Sequence, residues 1–333
     1  MSQGIFRSEA MDMTMTQRHH SAVSPAFWRA YGVTMRPYLM FVSGITGIAG
    51  LSFVREAPGM RLALIGIASF LSYGFGQALT DCFQTDTDTL SAPYRPLTQG
   101  VITKPQVFAV SLAGLALCVA AFAAFNPWNI LLGLMAGAGL ATYTPFKRMW
   151  WAGPFYNAWI VAVLGAMALA GGSGELVPLL DRSFLFVLFT IFFGYANFVL
   201  AGYFKDIAAD AATAYRTLPV VFGRKAAAIT SDVFAILAFV FFLGFGLLQD
   251  SPTLLPLLFG TAALLSAAVG QIRLHRTTTD REAHRAISFT VHSYLLLLSG
   301  VAAARQPSWS LFLLAYLGAY ALVIRFRPEK SQI

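Results

Sequence analysis

The chain has 333 residues, 57% of them hydrophobic and 11% charged, where an average soluble domain carries roughly 25% charged residues. With a mean hydropathy of +0.65 it lacks the ionisable residues to cover a soluble surface, so a soluble enzyme, a disordered chain and a disulfide scaffold are excluded. The net charge of +8 does not point to nucleic acid, because its 23 Lys and Arg fall singly or in pairs between apolar stretches and not on one basic arm.

Residues 1–30 are polar, carry His19 and His20, and contain no apolar run of signal-peptide length. They read as a mobile cytoplasmic tail. A single membrane domain is expected over 31–327, and a second short tail over 328–333. A helix needs about 20 apolar residues to cross the hydrocarbon. That length picks out ten segments, at about 34–54, 61–80, 104–125, 128–144, 155–171, 183–204, 226–248, 253–272, 285–304 and 309–325. The runs are continuous and lack the short alternating pattern of a porin-like barrel, so an all-α, polytopic transmembrane bundle is expected.

Connections on one side are short and carry turn residues, as in Asn126-Pro127 and Asp250-Ser251-Pro252. Those on the other side are longer and hold nearly all the ionisable residues. With a cytoplasmic N-terminus, only Arg55, Arg61, Arg182 and Arg305 fall outside. The remaining Lys and Arg, from Arg7 and Arg18 through to Arg325, Arg327 and Lys330, fall inside. Nine spans would put the last three on the wrong side, so ten fit better. Both termini and the functional face are therefore expected on the cytoplasmic side of a bacterial inner membrane.

Two inner loops stand apart. The first, after the second span, reads Thr80-Asp81-Cys82-Phe83-Gln84-Thr85-Asp86-Thr87-Asp88; its three carboxylates would repel one another without a counter-cation. The second, after the sixth span, reads Lys205-Asp206-Ile207-Ala208-Ala209-Asp210, a spacing that puts both carboxylates on one helix face. Hard oxygen donors suit Mg²⁺, which keeps several waters and bridges to substrate phosphates. Arg95 follows the first cluster, while Lys205 and Arg216 flank the second. Acid and base together at one membrane mouth form the chemistry of a Mg²⁺–diphosphate site. Taken singly, either cluster is as well explained by helix capping. Their pairing on one face favours function, because acids in a membrane are expensive.

The remaining features carry less. Cys82 and Cys118 suggest neither a disulfide nor a metal site. His275, His284 and His292 have no accompanying carboxylate pattern and read as solvated or packed. The run from Arg273 to Arg285 reads as a topology signal and anionic-lipid contact. The stretch from Gly133 to Gly139 reads as close helix packing, since no phosphate-loop Lys-Ser/Thr follows it.

Taken together, the motifs resemble those of the UbiA superfamily of intramembrane prenyltransferases. Its first motif, N-D-x-x-D-x-x-x-D, precedes P-x-R-P and a Gly. Here Pro93, Arg95, Pro96 and Gly100 anchor the match, Asp81 and Asp88 fit, and Thr80 and Gln84 replace an Asn and an Asp. The second, K-D-x-x-x-D followed by R-T-L-P, is matched by Lys205, Asp206, Asp210 and Arg216-Thr217-Leu218-Pro219. A Y-x-x-x-K runs from Tyr143 to Lys147, with Asn157 in the next helix. The likeness extends from Arg36-Pro37 to about the ninth span.

The resemblance implies a nine-helix core around a central cavity, to which the tenth C-terminal span is an addition. It implies a polyprenyl diphosphate donor bound through Mg²⁺, an apolar tunnel open to membrane lipid, and a lipophilic acceptor, aromatic or lipid-like. Asp81, Asp86, Asp88, Asp206 and Asp210 would bind the metal, with Asp86 compensating for Gln84; otherwise one strong motif holds the diphosphate with altered chemistry. Arg95, Lys147, Lys205 and Arg216 would hold the diphosphate. Tyr143 and Asn157 would join Asp206 and Asp210 in the catalytic set, near the reacting carbon. A membrane terpene cyclase of the same superfamily is the alternative. A transporter is more distant, since the halves show no repeat and the acids sit at helix mouths.

Overall fold

The computed structural model describes residues 19–249 and 254–326. Among them the chain forms thirteen α-helices and no strand: α1 (Pro25–Thr34), α2 (Pro37–Leu51), α3 (Gly59–Asp81), α4 (Thr85–Ser91), α5 (Lys104–Ala123), α6 (Trp128–Lys147), α7 (Ala152–Ser173), α8 (Arg182–Tyr203), α9 (Ile207–Ala212), α10 (Leu218–Gly246), α11 (Leu254–Arg276), α12 (Ala283–Arg305) and α13 (Ser310–Arg325). All ten segments expected to span fall on helices. Eight of these helices are long and apolar enough to cross a membrane. The other two are α2, with 15 residues, and α6, whose glycines, Tyr143, Pro145 and Lys147 make it less apolar.

Local chemistry sets the boundaries. Thr103 and Gln106 form a capping box at the start of α5, with Pro105 in its first turn. Asp181 accepts from the Phe184 N–H at the start of α8. Gly174, at φ +81°, ends α7 in the left-handed conformation that other residues resist. Gly223, at φ +78°, breaks α10 after its first turn.

Helices α2, α7, α8 and α12 form the centre, with α3 and α10 packed on them and α5, α11 and α13 at the periphery. Close approach explains why α2 is central. A Cβ on Gly47 would meet Ser69 Oγ at 2.2 Å, and one on Gly50 would meet the Gly165 carbonyl oxygen at 2.4 Å, so small residues let α3 and α7 come into backbone range. In the α12 span 78% of the apolar window is buried, against 11% in the span ending with α13. The extra C-terminal helix therefore packs on the outside, where the Tyr316 hydroxyl donates to the Phe41 carbonyl at 2.7 Å. The Gly133–Gly139 stretch does serve packing: Cβ atoms there would strike Val119 and Trp159.

The tail expected over 1–30 is corrected in its last part. Pro25–Thr34 is helical, and Phe27 and Tyr31 are fully buried against Ala78, Cys82, Leu97, Ile102 and Val107. Ser24 caps the helix, and the His20 N–H donates to the Val101 carbonyl at 3.1 Å. Two aromatics one turn apart bury enough apolar surface to hold this short helix down. Arg7, Arg18, the Asp250-Ser251-Pro252 turn, Arg327, Lys330 and the tail over 328–333 lie outside the described residues.

Candidate active site

Successive long helices reverse direction, so Asp81, which closes α3, Lys147, which closes α6, and Lys205 and Asp206, which follow α8, all lie at one end of the bundle. Arg55, Asp181 and Arg305 share a cleft at the opposite end. Between the first set lies a polar cavity of about 120 Å³, several times the roughly 30 Å³ share of one water. Asp81, Asp88, Arg95, Tyr143, Lys147, Asn157, Lys205 and Asp206 all line it.

Three of the acids at or beside this cavity, Asp81, Asp88 and Asp210, each face a cation. Arg36 Nη2 contacts both oxygens of Asp81 at 2.8 Å, and Gln77 Nε2 donates to the same carboxylate at 2.7 Å. Arg95 lies 2.5 Å from Asp88 and 3.9 Å from Asp81. Lys147 donates to Gln84 Oε1 at 3.2 Å and faces Asp210 Oδ1 at 3.5 Å. That last separation is an ion pair and not a hydrogen bond, so the buried Asp210 Oδ1 has no donor, while Thr217 donates to Oδ2 at 3.3 Å. The Tyr143 and Tyr203 hydroxyls share a hydrogen bond at 2.9 Å. The Lys147 ammonium lies over the Tyr203 and Tyr215 rings, 5.6 and 5.0 Å from their centroids.

Burial dominates the electrostatics. It pushes the Asp210 carboxyl up to about 6, against the opposing pull of Lys147, and raises Asp88 against the pull of Arg95. It brings Lys205 down to about 8, with Asp206 opposing. Buried pairs of this kind seldom raise stability above what apolar packing would give, so their concentration in one cavity marks a place for ligand charge.

Three expected site residues, Asp86, Arg216 and Asp210, do not line the cavity. Asp86 is paired outside it with Arg148 at 2.9 Å, their side chains 42% and 49% exposed, and Tyr215 donates to it at 3.2 Å. On α4, Gln84 and Asp88 are four apart and share a face, whereas Asp86 lies between them and points away. Arg216 is exposed, and its backbone N–H donates to the Arg148 carbonyl. Asp210 is buried behind Lys147. The compensation expected of Asp86 is therefore not provided.

Sequence reading missed Gln77 and Arg36 as parts of the site. Gln77 stands one turn before Asp81 on α3, and that spacing was an available signal. Arg36 adopts φ +52° immediately before Pro37, a position normally extended. Such strain is held only where the surroundings demand it; here it aims the guanidinium at Asp81. Of the histidines, His275 has a carboxylate partner that its sequence neighbours do not show, Asp232 at 2.7 Å, and His284 and His292 contact backbone carbonyls of their own segments. Cys82 and Cys118 are free and buried.

Tyr73, Gln77, Thr80, Asn157 and Tyr195 line the polar cavity and also a second, apolar one. The latter runs between α3, α5, α6 and α7 past Leu115, Ala136, Leu140 and Leu164 towards Phe122 and Met167. Along α7, Asn157 to Met167 covers about 15 Å at 1.5 Å per residue. A charged chamber thus adjoins an apolar slot, with five side chains bordering both.

The model of the UbiA prenyltransferase family matches residues 40–296. Similar relatives include the digeranylgeranylglyceryl phosphate synthase of Thermococcus kodakarensis, 29% identical over 64% of this chain and 76% of that protein. The protoheme IX farnesyltransferase of Geobacter sulfurreducens is 36% identical over 35% of this chain and 44% of that one. Among solved structures, a UbiA homologue from Archaeoglobus fulgidus bound to GPP and Mg²⁺ superposes with a TM-score of 0.59 at 17% identity, over 88% of this chain and 100% of that one. An apo UbiA homologue from Aeropyrum pernix gives 0.63 at 19%, over 79% and 96%. With its bundle of apolar helices and a family match across most of its length, the chain is a multi-pass integral membrane protein belonging to the UbiA prenyltransferase family.

Proposed function

We propose that the protein moves a polyprenyl group from its diphosphate to a lipophilic acceptor, in a Mg²⁺-dependent reaction inside the membrane. The observation that carries the reading is the adjacency of the two cavities, which share five lining residues, one walled by acids and bases and the other by apolar side chains. An amphipathic substrate with an anionic head and a long hydrocarbon tail fits both at once.

The donor set fits Mg²⁺. Asp81, Asp88, Asp206 and Asp210 are matched by Arg36, Arg95, Lys147 and Lys205, so no surplus positive charge awaits a diphosphate. The Asp210 oxygen without a donor is suited to a cation. Among the described residues no three acids, His or Cys are gathered as a ready metal cluster. Asp206 and Asp210, with Asp81 and Asp88, would hold the ion, and substrate and water oxygens would complete its shell. When bound, Mg²⁺ would neutralise the leaving diphosphate.

Arg95, Lys147 and Lys205 hold the phosphate oxygens. Tyr143 and Asn157 orient the head at the chamber. The allylic C–O bond breaks with its electron pair going to the diphosphate. The resulting cation is shielded from water by the apolar slot and meets the aromatic faces near its mouth. The acceptor's electron pair closes the new bond to the allylic carbon, and its proton passes to the departing diphosphate. Relatives named for a glyceryl phosphate lipid and for protoheme support a lipophilic acceptor, and the charged loops support a cytoplasmic site.

Purified protein in detergent, given Mg²⁺, prenyl diphosphates of several lengths and a panel of lipid alcohols and aromatic acceptors, should yield a prenylated acceptor by mass spectrometry. Diphosphate release without any acceptor, together with a cyclised hydrocarbon, would overturn transfer in favour of cyclisation.

A further inference from the structure

We infer that Asp280, in the connection between α11 and α12, caps α9 in place of Asp206 and so frees the Asp206 carboxylate for the metal and diphosphate. The inference rests on the proposed function for what Asp206 then binds. Asp206 occupies the N-cap position of α9, where an aspartate ordinarily turns back onto the N–H groups of the second or third residue. It makes no such bond and lines the polar cavity instead. The second-residue amide, Ala208 N–H, donates to Asp280 Oδ2 at 2.9 Å, across 72 residues of sequence.

Asp280 is itself held. Its other oxygen pairs with Arg224, which also donates to the Phe204 carbonyl at 3.4 Å. Arg224 directly follows the break in α10 at Gly223. Thr279 and Glu282 form a capping box around Asp280, and Glu282 accepts from the Thr278 and Thr279 N–H groups at 2.9 and 3.3 Å. Two elements distant in sequence thus present one carboxylate to α9. Asp280 is a positioning residue, since it acts through Asp206.

The test uses the full chain in detergent, with Mn²⁺ binding in the presence of inorganic pyrophosphate followed by electron paramagnetic resonance, and hydrogen exchange of the peptide over 206–212. In Asp280→Ala the Asp206 carboxylate turns back to cap α9, so half-saturating Mn²⁺ should rise about fivefold, the equivalent of one typical cap. Asp280→Asn, which keeps the acceptor, should stay within about twofold of wild type, and in an Asp206→Ala background Asp280→Ala should add nothing. Exchange over 206–212 should accelerate fully only in the double Asp206→Ala/Asp280→Ala variant, because either carboxylate can cap alone. An equal Mn²⁺ shift with and without Asp206, or no shift, overturns the inference. If the wild-type protein binds no Mn²⁺, the proposed function fails, and exchange decides the cap alone: a double variant no faster than Asp280→Ala overturns it.

Discussion

Asp86 and Asp88 stand two positions apart on α4 and have opposite surroundings. Asp88 is nearly buried beside Arg95, whereas Asp86 is solvated beside Arg148. Composition treats them alike, and only the helical repeat separates them, which required knowing that α4 exists. The residues Asp81, Asp88, Asp206, Arg95, Lys147 and Lys205 were legible because motif spacing survives a small error in helix boundaries. Arg36 was not, because its role depends on a left-handed backbone that the sequence before Pro37 argues against. Asp86 belongs to an exposed pair, worth about 0–1 kcal/mol, and Arg216 is exposed outside the cavity, so Asp86→Asn and Arg216→Ala should each change kcat/KM by less than about fivefold. Asp210→Asn removes the buried partner of Lys147 and a donor to the metal, and should cost about a hundredfold or more. Steady-state kinetics with one prenyl donor measures both. A larger loss in Asp86→Asn than in Asp210→Asn would reverse the assignment of the two faces.

Helices differ in how plainly the sequence announced them. The ten apolar runs were readable because each backbone group in lipid must be satisfied within its own segment. Which of them is central was not readable: α2 and α13 look alike in hydropathy, and the glycine contacts of α2 decide its place. The helix α1 was hidden in a polar stretch, since its two buried aromatics weigh little in any average over thirty residues. Its packing is nevertheless firm, with Tyr31 hydrogen-bonded to Ser111 at 2.8 Å and Phe27 fully buried. Phe27→Ala should destabilise the protein by about 3–5 kcal/mol, read as a lowered unfolding midpoint in detergent. A midpoint unchanged from wild type would mean that α1 is not docked as described. The run from Arg273 to Arg285 reads as topology and lipid contact, and Asp280 within it has no signature in the sequence because its partner amide is a backbone group on another element.

At the scale of the whole molecule, charge and hydrocarbon are segregated into two adjoining cavities, one polar and one apolar. Gly137 borders the apolar slot, and a Cβ there meets nothing within 4 Å. Gly137→Phe should therefore fold and fill the slot. It should lower kcat/KM for geranylgeranyl diphosphate relative to dimethylallyl diphosphate by about tenfold or more; equal loss for both donors would argue against a tail in that slot. On the proposed function, the two acidic segments act together on a prenyl diphosphate through Mg²⁺. Diphosphate release by the purified protein tests it most directly, compared with and without Mg²⁺ and beside the Asp206→Asn/Asp210→Asn double variant. Release should require Mg²⁺ and fall to background in the double variant. Release that persists in a chelator or in that variant, or its absence with every donor from a folded protein, would contradict it.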